Sequence, residues 1–155
     1  MISHDLVHWP IVLTAARGAM TLADHIDFLD DWNRWFDRGE PFAAFRVFAD
    51  DDALAHPDGA ARAAKTWLQK NSGRMQALVL GMATVVPPAH FDRLSRMDAQ
   101  KLFGVPARTF ADIGEALDWL ETAILKPKAI PLDRAAIHAS LKTLGQDLGR
   151  SRERT

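Results

Sequence analysis

The chain contains no cysteine. That excludes disulfide bridges, thiolate zinc centres and a cysteine nucleophile, and it fits a reducing cytoplasm. There is no charge excess either. The 19 basic and 20 acidic residues leave a net charge of −1, so no global field draws nucleic acid or an anionic membrane surface. No apolar run approaches the roughly 20 residues that a membrane helix needs, so membrane insertion is not expected. The opening stretch, MISHDLVHWPIVLTAARG, has no basic n-region and carries His4, Asp5 and His8. It does not read as a signal peptide, and a cytoplasmic location is expected. The G-x-G-x-x-G and P-loop patterns are missing, which leaves nucleotide binding without support. The nucleophile elbow G-x-S-x-G is missing too, which argues against hydrolase chemistry.

What is present is an ordinary globular composition. Of 155 residues, 48% are hydrophobic and 25% charged, enough for one domain with a real core. Leu6 to Ala16 is rich in Val, Ile and Leu and is interrupted by Pro10, which implies an edge strand or two short strands. Thr21 with Asp24 approximates a capping box, and Leu22, Ile26, Leu29 and Phe36 recur at helical spacing. The first helix is therefore expected over about 22–38, stopped by Gly39 and Pro41. Phe42 to Ala49 reads as a buried strand. A second helix begins near Asp58-Gly59 and is loosened at Gly73. The run from Leu78 to Val86 has the continuous apolarity of a central parallel strand. A helix over about 89–102 follows, then a short strand from Val105 to Phe110. Asp112 caps another helix, with Ile113, Leu117, Leu120 and Ile124 as its buried stripe. Lys126-Pro127 ends it. A last helix, about 132–148, carries Ile137, Leu141, Leu144 and Leu148. The tail RSRERT is charged and is expected to be disordered. Strands alternating with helices imply a mostly parallel α/β sheet with right-handed crossovers.

Two stretches resemble a known family. One is the apolar strand ending in Gly18-Ala19-Met20-Thr21, followed by a helix that closes at a glycine and leads into a strand. The other is Val105-Pro106-Ala107-Arg108-Thr109-Phe110-Ala111-Asp112 followed by Glu115-Ala116-Leu117-Asp118-Trp119-Leu120. Together they look like the opening and close of the STAS-like, or SpoIIAA-like, domains of bacteria, over roughly residues 6–125. The resemblance implies a sheet of four or five strands with packed helices. The boundary then falls between a STAS-like domain, 1–125, and a C-terminal helical extension, 126–155. It also implies binding of partner proteins in place of catalysis, or in some members of small apolar ligands. The phosphorylated serine of one branch has no counterpart between Asp50 and Gly59, so that switch does not carry over.

Three sets of residues are candidates for function. Asp50, Asp52, His56 and Asp58 follow a strand of an expected parallel sheet, where ligands bind. Carboxylates with an imidazole would suit a divalent metal or a ligand, and a solvated helix cap is the plainer alternative. No metal is assigned. Phe28, Trp32, Trp35 and Trp119 lie off their helices' apolar stripes at 100° per residue. With Ile137, Leu141 and Leu144 on the last helix they form an expected interaction surface, unless that helix covers them within the chain. Met20, Met75, Met82 and Met97 near element ends could line an apolar cavity. The preferred expectation is a non-catalytic interaction or regulatory module that forms a homodimer or binds a partner protein. The alternative is a small apolar-ligand binder with a pocket between sheet and helices. A metal-dependent enzyme using the 50–58 loop comes third. No cofactor is expected.

Overall fold

Pro10 interrupts the first apolar segment, and only the part after it, from Ile11, forms a strand. The computed structural model describes the backbone of residues 1–153 and the side chains of residues 1–145. In it β1 (Ile2–Asp5) and β2 (Ile11–Ala16) run antiparallel, with Ile2 opposite Ala16 and Asp5 opposite Leu13. β1 thus lies wholly before the segment, Leu6 to Ala16, that the apolar pattern marks, which corrects the reading of that segment as two strands. Three further strands, β3 (Phe42–Phe48), β4 (Val79–Val85) and β5 (Ala107–Phe110), join β2 in parallel. The order across the sheet is β1-β2-β3-β4-β5. The helices are α1 (Leu22–Asp37), α2 (Asp51–Leu54), α3 (Ala60–Leu78), α4 (Pro88–Ser95), α5 (Ala99–Phe103), α6 (Ile113–Trp119) and α7 (Arg134–Glu153). The fold is α/β with a five-stranded mixed sheet.

Local chemistry sets the helix ends. Thr21 and Asp24 form the full capping box at the start of α1, each side chain accepting from the other residue's N–H. Asp112 caps α6 by accepting from Glu115 N–H. The helix expected over 89–102 is two helices, because Asp98 caps a new start at Ala99. α3 runs through Gly73 to Leu78, held by the buried Met75. A glycine within a helix costs about 1 kcal/mol, which tertiary packing overrides. Past Trp119 the chain widens into a π-helical turn, Leu120–Leu125, and closes with a 3-10 turn, Lys126–Lys128.

Strand alternation divides the core into two layers. Because β2 to β5 follow one another in the sheet, right-handed crossovers set α1 and α3 on one face. There Val12, Ala44 and Met82 meet Trp32, Trp35, Phe36 and Met75. On the opposite face Ile11, Leu13, Phe45, Ala83 and Val85 pack against Leu117, Leu120, Ile124 and Leu125, and against Ile137 and Leu144 of α7.

This arrangement corrects the expected interaction surface. Trp32 and Trp35 are 3% and 5% exposed, while Leu22 and Ile26, expected in the core, are 36% and 43% exposed. The helix turns its large rings to the sheet, because they remove more apolar area from water than Leu and Ile do. Phe28 is half-buried beside them, and Trp119 packs on Phe110 at a ring separation of 5.8 Å. Ile137 and Leu144 are buried and Leu141 is half-buried within the same chain. The apolar seam of α7 is therefore closed in cis. Leu148 lies outside the residues whose side chains are described, and the tail expected to be disordered instead continues α7 as far as Glu153.

Candidate functional site

The aspartate-rich loop is used structurally. Asp50 ends the approach to α2, and its Oδ1 accepts from the N–H of Ala53 at 3.0 Å. Both its oxygens also accept from Gly18 N–H, at 3.0 and 3.1 Å. Gly18 has a positive φ of 74°, a conformation suited to glycine. One carboxylate thus ties the β3–α2 connection to the β2–α1 turn. Asp51 accepts from His90 Nε2 at 2.8 Å, and Arg93 donates to His90 Nδ1 at 3.1 Å. Asp52, His56 and Asp58 are exposed, and His56 faces His25 with ring centroids 5.4 Å apart. Among the described residues no group of three or more His, Asp or Glu is placed to hold a metal ion. Of the four loop residues, the structure gives Asp50 the part of a cap and a loop tie, its carboxylate taken by the nearest N–H groups.

The unusual chemistry lies on the sheet itself. Five residues stand in register across all five strands: His4, Thr14, Arg46, Thr84 and Thr109. The adjoining row on the same face, Val12, Ala44, Met82 and Ala107, is apolar. The polar row sits toward the carboxyl ends of the parallel strands, the end at which open α/β sheets bind ligands. None of its members was singled out by motif. In sequence Thr14, Arg46 and Thr84 are each the lone polar residue of an apolar strand, His4 and Thr109 stand beside other polar residues, and only the register joins the five.

The two ends of the row differ. Under α1, His4 Nδ1 accepts from the Thr14 hydroxyl at 2.8 Å, and its Nε2–H donates to Asp31 at 3.1 Å. That tautomer follows from the carboxylate being only an acceptor. The ring meets Phe28 and Trp35 edge-on. Burial pushes the imidazole below its ordinary 6.5, and Asp31 offsets this only in part. In the middle, half-buried Arg46 donates through Nε and Nη2 to Thr84 Oγ1, at 3.2 and 2.9 Å. Its guanidinium lies 5.7 Å from the Phe48 ring centre and 5.8 Å from that of Phe103.

Thr109 ends the row at a groove. The carbonyls of Pro106 and Phe110 accept from the N–H groups of Met82 and Val86. Main-chain polar groups alternate sides along a strand, so residues 106, 108 and 110 face β4. Ala107 and Thr109 turn their N–H and C=O to the open edge, and these groups have no partner among the described residues. Beside them a groove of about 950 Å³ runs between this edge and α4–α5. Its lining carries Arg96, Lys101 and Arg108 against one acid, Asp98, which caps α5. A second cavity, of about 470 Å³, lies on the opposite face between β2, β3, α6 and α7. Ala15, Val47, Ala49, Ile113 and Leu141 give it apolar walls, with Arg17, His138 and Lys142 at its rim.

Comparison with protein-family models finds no match, and comparison with curated proteins and with solved structures finds none either. No helix among the described residues is long and apolar enough to cross a membrane.

Proposed function

We propose that the chain is a non-catalytic interaction module, STAS-like in type, that receives an extended acidic segment of a partner protein along the open edge of β5. One observation carries the reading. The unpaired main-chain groups of Ala107 and Thr109 border a groove with three cations and one acid. A strand added at an exposed edge takes its affinity from such main-chain groups and its specificity from the side chains beside them. A second copy of this chain would set Arg96, Lys101 and Arg108 against the same three cations. An acidic partner is therefore a better occupant than a homodimer at this edge. The STAS-like assignment rests on the two sequence motifs, and a cytoplasmic setting rests on the cysteine-free composition.

The test uses a short synthetic peptide that alternates glutamate with valine. Amide signals of Ala107 and Thr109 should shift saturably in the labelled protein, and Arg96→Glu with Arg108→Glu should abolish the shift. Thr109→Pro is sharper. Its N–H faces outward, so proline there leaves the β4–β5 ladder intact and blocks only the added strand. Unchanged peptide binding in Thr109→Pro would refute the edge.

The cavity under α7 favours a second reading, a small apolar-ligand binder. Its size falls within the roughly 300–1,000 Å³ of ligand pockets, and it lies between sheet and helices. Native mass spectrometry of the purified protein separates the two. A reproducible organic adduct that is lost in Ala49→Trp, which fills the cavity, would support the pocket. A bare mass together with peptide binding would support the edge.

A further inference from the structure

Three arginines on this fold's surface pair with carboxylates, while others, such as Arg96 and Arg108, stand exposed to water. Arg34 pairs with Asp31, Arg74 with Asp37 and Arg134 with Asp118. Arg46, half-buried on the sheet, has no carboxylate partner among the described residues. Two of its nitrogens share one acceptor, the Thr84 hydroxyl oxygen. Nη1 makes no hydrogen bond to the described residues. The fully buried, unpartnered side-chain atoms among those residues are His25 Nε2 and Arg74 Nε. Arg46 Nη1 is not among them, and Arg46 as a whole is half-buried. Thr84 has a matching surplus. Its oxygen accepts twice from the guanidinium, and its own proton has no acceptor among the described residues. The guanidinium N–H groups left over from these two bonds and this hydroxyl are donors without acceptors among the described residues, in one place.

We infer that Arg46 and Thr84, flanked by the rings of Phe48 and Phe103, form a binding site for a small organic carboxylate. Donors alone, gathered around one cation, recognise an anion. The charge count favours a monoanion. One guanidinium balances a carboxylate, whereas a phosphate dianion would leave a net negative charge in a half-buried place. The two phenyl rings offer the ligand's organic body an apolar seat. The neighbouring polar pair, His4 and Thr14, is satisfied within the protein and adds no charge while His4 is neutral. Burial lowers Arg46 to about 10, which leaves it cationic at neutral pH with its charge uncompensated. An anion relieves that. The site differs from the β5 edge in its donors, which are side chains of β3 and β4, although Thr84 stands in register with Thr109.

The experiment titrates isotopically labelled full-length protein with benzoate, with inorganic phosphate and with the acidic peptide, reading the Arg46 Nε–H signal. Benzoate should shift it saturably and raise the melting temperature. Arg46→Met should abolish both effects while melting no lower than the parent, because it removes an unpaired charge. Thr84→Val keeps the cation and removes the hydroxyl, and should weaken benzoate by about tenfold, the equivalent of one charge-assisted hydrogen bond. Benzoate binding that is equal in parent and Arg46→Met would overturn the site, as would no saturable shift. Tighter binding of phosphate would overturn the carboxylate assignment. An Arg46 signal that answers the peptide and ignores benzoate would give the anion to a partner's side chain, and would overturn the small-ligand claim.

Discussion

Gly81 leaves room for one side chain. A Cβ at this position would sit 2.7 Å from Cδ1 and 2.9 Å from Cγ1 of Ile124. Ile124 is buried in the π-helical turn after α6, where it cannot swing away. Gly81→Ala should therefore cost about 1–3 kcal/mol in urea denaturation. Adding Ile124→Val, which deletes Cδ1, should recover part of that loss, a coupling that two separate sites would not show. A second residue-scale prediction concerns pH. The folded state holds His4 below 6.5, chiefly by burial, and so favours its neutral form. The contribution is complete above the unfolded value and is lost as pH falls through the lowered folded value. Melting temperature should drop as pH falls from about 7 to about 5. His4→Gln should flatten that fall in part, leaving the share of His25, which is also lowered by burial and by His56. Neither residue was legible in the sequence as special. Gly81 stood inside an apolar run, and His4 gains its neighbours Thr14 and Asp31 only through strand pairing and helix docking.

Caps were the most legible features among the elements, because the reason for them is local. Thr21 with Asp24 and Asp112 with Glu115 each act within four residues. The same logic decides between readings of the aspartates. Asp50→Ala removes a helix cap and the tie to Gly18, and should destabilise by about 1–2 kcal/mol. Asp52→Asn, at an exposed position, should change stability by less than about 0.5 kcal/mol. Divalent ions should leave both melting curves unmoved. An ion-dependent rise in the parent that Asp50→Ala loses would restore the loop as a metal site. The rotation of α1 was not legible. Leu22, Ile26, Leu29 and Phe36 make a valid stripe by spacing, and so do Phe28, Trp32, Trp35 and Phe36. Spacing weighs positions equally, whereas the sheet selects the stripe with more area to bury. Phe36 is common to both stripes, and at 100° per residue the difference amounts to roughly a quarter turn of the helix.

For the whole molecule, alternating strands and helices were enough to give a mostly parallel α/β sheet, since short apolar segments joined by helices leave few other arrangements. The pattern did not say what covers each face. Apolar spacing shows that Ile137 and Leu144 are buried somewhere, and cannot choose between this chain and a second one. In the structure α7 packs on β1 and β2 and shares one core with Leu13, Phe45 and Leu120. Its first turn is bound to α6, where Arg134 pairs with Asp118 and donates to the Gly114 carbonyl at 3.2 Å. Farther along, the Ser140 hydroxyl meets His8 Nε2 at 2.7 Å. A boundary at 125/126 would make α7 a detachable extension, and these contacts oppose that division. Removing α7 exposes part of a continuous apolar sheet face, the kind of patch that drives association. A chain of residues 1–131 should therefore melt without a cooperative transition, or elute from size-exclusion chromatography as aggregates. The full chain with Leu144→Glu should show a milder form of the same defect. If residues 1–131 stayed monomeric and melted as sharply as the full chain, α7 would be an accessory, and its apolar face would again be open to a partner.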